Sequence, residues 1–339
     1  MHTTILSIFI LSVVAGPVAA LTGTEKPRNV ILIGWDGAQR DHVKEDLAQR
    51  KLPSLKRLSS EGTIAAIDVI RTTDTKAGWS QILTGYEPEK TGVFSNGRFS
   101  PIPKGYSIFE RLEAFFGPDN IVTVAVIGKK GHVDAEGEEK IPAKRIERMK
   151  PQRRQQLMNQ GQLVEENGQQ FQLIPAKPYF YTKDGMDVWI NGLEQDEKVG
   201  AKAIELLDKY RKKPFFFFVH FAQIDHRCHK GGENSPWCDS GYLSADEWTG
   251  KIMKKLEDLK LYDQTLVYVT ADHGFDEGQF GHADAPYVFL ATNDRAVIRR
   301  GTRADITPTI LDRFGVDLSK IDPPLDGHPL TKPWNEVNW

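Results

Sequence analysis

The side chains with the means to do chemistry stand where apolar runs give out. Asp36 follows the first such run directly, in IGWDGAQRD, and Gly37 behind it permits a tight turn that would present the carboxylate to a ligand; by itself Asp-Gly also reads as an ordinary turn. Asp272 and His273 stand side by side in ADHG, after TLVYVTA. Neighbours on a strand point to opposite faces. Both can therefore reach one ion only where strand gives way to loop, and Gly274 marks that change. Asp225 and His229, in IDHRCH, are four apart, which in a helical turn puts both on one side. His226 and His220 are rival imidazoles in the same stretch, and His220, inside an apolar run, reads as a core residue. His282, nine residues after His273 in GQFGHADAP, and His328, in LDGHPL, compete to complete a site.

A different chemistry attaches to DTKAGWSQILTGYEPEKTGVFSNG, residues 74–97. GWSQILTG predicts a short helix ending at Gly85, with Thr75 at or just before its N-terminus. Backbone N–H groups and the positive dipole end there attract an anion. A threonine hydroxyl is a weak nucleophile until a metal activates it. On local sequence alone, Thr75 reads first as a helix cap.

The elements that must position these groups are legible. RNVILIGW (28–35), IVTVAVIG (121–128), PFFFFVHF (214–221), TLVYVTA (265–271) and YVFLAT (287–292) are near-continuous apolar runs of strand length. Between them, LPSLKRLSSEG, YSIFERLEAFF, EKVGAKAIELLDKYRKK and LSADEWTGKIMKKLEDLK each show one helical apolar face. This alternation predicts an α/β fold, a doubly wound, mostly parallel sheet with helices on both faces, and chemistry at the carboxyl ends of its strands. Residues 129–192 break the pattern. They are rich in Lys, Arg, Gln and Glu, include PQRRQQLMNQGQLVEENGQQ and KPYFYTKDGMDVW, and are too long for a plain connection. They read as an insertion, either a cap over the site or a solvated decoration.

Bulk properties exclude some classes. The 339 residues carry 44 basic and 46 acidic side chains, a net charge of -2, with no charged tail. That gives no electrostatic footprint for nucleic acid or a membrane surface. MHTTILSIFILSVVAGPVAA, residues 1–20, has an apolar stretch followed by Gly-Pro and small residues, the pattern of a secretory signal. No later run reaches the ~18 apolar residues of a membrane span. The expectation is a secreted or periplasmic protein whose residues 21–339 form one catalytic domain. In an oxidising compartment the only cysteines, Cys228 and Cys238, can pair; two cysteines cannot make a cysteine-rich zinc site. P-loop, GxSxG and GxGxxG patterns are absent from the sequence.

Taken in order, WDG, TKAGWSQILTGYEPEKTG, DHRCH, ADHG and GH resemble the alkaline phosphatase superfamily, and within it the type I phosphodiesterase/nucleotide pyrophosphatase branch. The likeness runs from Arg28 to about Leu330, outside the insertion, and RADITPTILDRFGVDL is similar to that family's closing helix. It implies hydrolysis of phosphate esters, diesters or pyrophosphate-type bonds, through a phosphothreonine on Thr75. It implies two divalent metal ions, one held by Asp225, His229 and His282 and one by Asp36, Asp272 and His273. A set of three Asp and three His suits zinc, and the resemblance favours His282 over His328. Asn96 and the Lys76 N–H are implied as holders of non-bridging oxygens. The sequence departs from the family at Ala77, Thr91 and Cys228, where Pro, His and Gly are usual. VIGKKGHVD also resembles a sulfatase strand ending in a Lys-x-His pair, which would bring Lys130 and His132 to the substrate anion. Sulfatases mature a Cys or Ser to formylglycine, which Thr75 cannot become. The implied partner is a small phosphorylated substrate. Alternatives on the same scaffold are a phosphomonoesterase, a phosphonate hydrolase, a sulfatase-like hydrolase or a non-catalytic binding protein.

Overall fold

The structure, a computed structural model, describes residues 26–333, so the expected signal segment lies outside the described residues. Its strands are β1 (Asn29–Trp35), β2 (Thr63–Asp68), β3 (Val122–Ile127), β4 (Glu139–Pro142), β5 (Gln162–Glu166), β6 (Gln169–Ile174), β7 (Val188–Asn191), β8 (Phe215–Phe221), β9 (Thr265–Thr270), β10 (Tyr287–Thr292) and β11 (Gly301–Thr302). Eight of them form one sheet in the order β11-β2-β10-β9-β1-β8-β3-β7. The middle of that sheet, β9-β1-β8-β3-β7, is parallel throughout.

The parallel strands are apolar from end to end because both faces are covered. Every residue of β1, β3, β8 and β9 is buried. Phe215, Phe216, Phe217 and Phe218 of β8 have no exposed surface, and each contributes about 1.5–3 kcal/mol by leaving water. The helices flanking this sheet are α1 (Arg40–Ala48), α2 (Pro53–Glu61), α3 (Thr75–Thr84), α4 (Pro88–Thr91), α5 (Ile108–Phe116), α8 (Asp196–Tyr210), α9 (Gln223–Gly231), α10 (Pro236–Asp258) and α11 (Ile306–Phe314), while α6 (Ala143–Glu147) and α7 (Pro151–Gln160) pack on a smaller sheet. The doubly wound α/β architecture expected from the sequence is the one the chain adopts. Among the described residues, no helix is long and apolar enough to cross a membrane.

One strand runs against expectation. β10 pairs antiparallel with both β9 and β2. Residues 271–286, which join β9 to β10, contain no helix, and a parallel return needs a crossover, usually helical. The chain instead folds straight back, and the returning loop carries His282.

Within 129–192, β4, β6 and β5 make a separate antiparallel sheet over a small core of Ile141, Ile146 and Leu157. β7, near the end of that stretch, belongs to the main sheet. Cys228 and Cys238 form a disulfide that ties α9 to α10.

Candidate active site

Strand register assembles the site. Gly34 of β1 lies opposite Thr270 of β9, so Asp36 and Asp272, each two residues on, emerge level with one another. Trp35 lies opposite Phe221 of β8, so Asp225 follows within the first turn of α9. Backbone bonds lock this arrangement: the Asp225 N–H donates to the Asp36 carbonyl (3.0 Å) and the Gly37 N–H to Asp272 Oδ1 (3.3 Å). Gly37 holds φ 82°, which a side chain would resist, and the turn sends the chain away while the carboxylate stays.

The result is a buried carboxylate cradle. Asp36 and Asp272 are fully buried and Asp225 nearly so. One ligand atom each from Asp36, Asp272 and His273 lie within 4.8 Å of one another, as do those from Asp225, His273 and His282. His229 Nε2 joins at 3.2 Å from Asp225 Oδ1, and its Nδ1 meets the Phe280 carbonyl at 2.7 Å. The rings of His273 and His282 stack with centroids 4.0 Å apart. Thus all six implied ligands come together, with His273 between the two groups.

The electrostatics are those of a cation site. Asp36 Oδ1, Asp225 Oδ1 and Asp272 Oδ2 are buried with no hydrogen-bond partner, a costly state for anions unless something positive joins them. Burial, together with the Asp36 charge, raises Asp272 to about 7. Against burial, which opposes its charge, Asp272 and Asp36 raise His273 to about 9. Burial and the Asp36 charge push Asp225 up, yet His229 and Lys129 hold it at about 2. Carboxylate oxygens and imidazole nitrogens are donors suited to divalent metal ions.

Thr75 is the first residue of α3, buried, and its hydroxyl lies 3.2 Å from His273 Nε2. The helix ends at Gly85, as its sequence predicts. Gly78 lets it come this close: a Cβ there would stand 2.7 Å from the Asp272 carbonyl and 3.0 Å from Arg303. The expected cap role is absent in one respect, because residue 74, not Thr75, is the N-cap. Asn96 is tied to the same turn, its N–H donating to Asp74 Oδ2 at 3.2 Å. The Lys76 N–H, expected to face a phosphoryl oxygen, donates instead to Asn96 Oδ1 (2.9 Å); this orients the Asn96 amide and leaves Nδ2 as the donor it can turn to an anion. Lys76 Nζ donates to the Asn96 carbonyl at 2.9 Å and lies over the Phe99 ring. Burial, then the charge of Lys177, lowers it to about 8.

Of the GKKGH segment, the lysine aimed at the cradle is Lys129, which the sequence reading passed over. Its ammonium lies 2.5 Å from Asp225 Oδ2 and 3.9 Å from Asp36 Oδ1. Lys130 points outward, its side chain 66% exposed and 3.8 Å from Glu136. His132 is partly buried, and burial followed by the Lys129 charge lowers it to about 4. His220 is neither a rival ligand nor a plain core residue: its Nε2 lies 3.0 Å from Asp36 Oδ2 and steadies that carboxylate from behind. His226 is exposed. His328 is held elsewhere, its N–H donating to Asp305 Oδ1 at 2.7 Å and its carbonyl accepting from Arg299.

Arg303 was also missed. It is buried and donates to the carbonyls of Asp272 (2.6 Å), Ile70 (3.2 Å) and Thr72 (2.8 Å). No motif marks it; it lies in the RADITPTIL segment noted only as a closing helix.

Known proteins share this framework. The chain is 22% identical to GPI ethanolamine phosphate transferase 2 of Schizosaccharomyces pombe over 143 residues, 35% of this chain and 19% of that protein, so it spans only a small part of that relative. Among solved structures it is similar to the alkaline phosphatase of the Antarctic bacterium TAB5 (TM-score 0.52, 14% identity, 86% of this chain and 99% of that one). It is also similar to the lipoteichoic acid synthase LtaP of Listeria monocytogenes (TM-score 0.53, 15% identity, 91% and 76%). A third similar structure is a protein solved with its substrate D-glucosamine-2-N,6-O-disulfate (TM-score 0.55, 14% identity, 91% and 80%). These likenesses establish the fold. The sequence model of the type I phosphodiesterase / nucleotide pyrophosphatase family matches residues 30–322, most of the chain, and the protein belongs to that family.

Proposed function

We propose that this protein hydrolyses phosphate esters, diesters foremost, with Thr75 as nucleophile beside two divalent cations of the zinc type. The observation that carries this is the gathering of Asp36, Asp225 and Asp272 about His273 Nε2, which itself lies 3.2 Å from the Thr75 hydroxyl. Asp36, Asp272 and His273 would hold one ion, and Asp225, His229 and His282 the other. When bound, such ions act as Lewis acids toward the attacking and leaving oxygens of an in-line displacement.

The chain's own groups account for the rest. α3 presents Thr75 on its first turn, where the helix dipole favours the charge of a phosphoryl group. The Thr75 oxygen bonds to phosphorus as the ester P–O bond breaks, its proton passing through solvent to the departing alcohol oxygen. Water then attacks phosphorus, the bond to Thr75 Oγ1 breaks and that oxygen takes back a proton, which releases a phosphate monoester from a diester and phosphate from a monoester. Asn96 Nδ2 steadies a non-bridging oxygen, and Lys129 adds a positive charge opposite α3. The 129–192 insertion supplies Lys129 and His132 and acts as a cap on this edge of the sheet. The disulfide fits an exported, extracytoplasmic protein.

Lys129 favours a second reading, since an extra cation in the cradle suits the dianion of a monoester. Turnover of bis(4-nitrophenyl) phosphate and 4-nitrophenyl phosphate by zinc-loaded protein separates the two. Faster diester turnover, lost on chelation and restored by zinc, is expected. No turnover of either ester by protein carrying two ions would sink both readings and leave a binding protein on this scaffold.

A further inference from the structure

We propose that the alcohol released in the reaction is a polyhydroxylated group of about hexose size, seated in a cleft that opens off Asp225; this rests on the phosphate-ester reading above. The cleft has a volume of about 280 Å³ and lies where the carboxyl ends of β8 and β3 meet the loop after β7. Asp225 and Lys129 are walls common to the cleft and the cradle. Thr75 is not among its lining residues, so the cleft extends from the Asp225 side of the cradle. Asp225 belongs to the ligand set proposed above for the second ion, the one that would assist the departing oxygen.

The remaining walls select the class of alcohol. Gln195 and Gln223, bonded amide to amide, each carry donors and an acceptor, and the Glu194 carboxylate can accept from two adjacent hydroxyls. Lys130 and His226 form the exposed rim of this open polar cleft, whose single apolar side chain is Ala222. Its one aromatic ring is the exposed imidazole of His226, and no Phe, Tyr or Trp lines it. Gln223 Oε1 is engaged by Arg227, so the Gln195 and Gln223 amide N–H groups and the Glu194 carboxylate are the groups left for a hydroxylated ligand. The volume sits at the lower edge of small-molecule sites, which run from roughly 300 to 1,000 Å³. Glu194 holds a left-handed backbone (φ 63°), fixed by its N–H donating to the Gly128 carbonyl at 2.9 Å. A non-glycine residue kept in that conformation by its surroundings is characteristic of a ligand site.

The test uses the reverse entry of an alcohol. An alcohol that fits the cleft competes with water for the phosphothreonine: its oxygen bonds to phosphorus, the bond to Thr75 Oγ1 breaks, and the hydroxyl proton returns to Thr75. Zinc-loaded wild type turning over bis(4-nitrophenyl) phosphate is given glucose or benzyl alcohol as acceptor at equal concentration, and 4-nitrophenyl phosphoglucose and its benzyl counterpart are quantified. Transfer to glucose is expected to exceed transfer to benzyl alcohol, and Gln223→Ala to lower the ratio of glucose transfer to hydrolysis about fivefold, the effect of one lost hydrogen bond. Hydrolysis with no transfer to glucose, transfer favouring benzyl alcohol, or an unchanged ratio in Gln223→Ala overturns the proposal while leaving the phosphate-ester reading intact. Absence of any hydrolysis overturns that reading instead.

Discussion

Arg303 grips Asp272 from behind, its Nη1 donating to the Asp272 carbonyl at 2.6 Å while Nη2 reaches the carbonyls of Ile70 and Thr72. One guanidinium thereby fixes the spacing between a cradle carboxylate and the segment that leads into Thr75. Burial lowers its pKa to about 10, so it stays charged at neutral pH. Arg303→Met should cost about 3 kcal/mol of stability through stranded carbonyls and lower kcat about 100-fold by misplacing the nucleophile. Added guanidinium should restore part of kcat in a smaller variant such as Arg303→Ala. Thermal melts and kinetics with and without guanidinium check this; unchanged kcat in a folded variant would show that the spacing does not depend on Arg303.

Thr75→Ala removes one hydroxyl from a buried helix start and leaves all six proposed metal ligands in place. Turnover should fall by at least about 10³-fold, with two ions still found per chain by elemental analysis. Residual activity near wild type would transfer the nucleophile's role to water.

Because one oxygen of each cradle carboxylate lacks a hydrogen-bond partner, cations should stabilise the fold strongly. At about 100 times its Kd an ion adds about 2.7 kcal/mol, which for a chain of this size raises Tm by roughly 4 °C. Asp272→Asn should lose most of that shift. A melting curve indifferent to zinc in the wild type would argue against the cradle as a metal site.

His42 gives stability its own pH dependence. It is nearly buried, with Nδ1 2.6 Å from Glu233 Oε1 and Nε2 3.3 Å from Asp239 Oδ1, and it stacks on Tyr242. Burial opposes its charge, but Asp46 and Glu233 raise it from 6.5 to about 9. Its contribution is therefore fully present below 6.5 and fades as pH climbs through about 9. It amounts to at most about 3 kcal/mol. Urea unfolding of wild type and His42→Gln across that window should show the wild type losing stability with rising pH and the variant losing less; parallel curves would remove His42 from the account.

The central parallel strands β1, β3, β8 and β9 were legible because burial on both faces leaves unbroken apolar runs, whereas β7, half-buried at the sheet edge, read as part of the insertion. β10 was found at its observed bounds, Tyr287–Thr292. Its direction was not, because strand composition carries no sign of which way a strand runs. β2 was invisible for another reason: TIAAID is only half-buried and lacks a run of large side chains. The small sheet of the insertion is mostly exposed, and its strands QLVEE and QQFQLI look like solvated chain. Strand ends marked Asp36, Asp225 and Asp272 with His273 as candidates, but the choice of His282 over His328 rested on the family resemblance, because spacing along the chain does not say which loop folds back. Lys129 could not be told from Lys130, since which of two adjacent lysines turns inward is decided by the path of the loop. Arg303 had no signal at all, as it works on backbone carbonyls that any sequence supplies.

Asp36 leaves the first strand and Asp272 the ninth, with the whole of the parallel sheet built between them. No partially synthesised chain ending before residue 273 contains both halves of the cradle. Its affinity for a cation therefore cannot be inherited from any local segment; it appears only when distant strands have closed, a slow event in such topologies. Metal capture at the proposed site would therefore report on register. A chain that holds its ions tightly has, by that fact, brought its first and ninth strands into register.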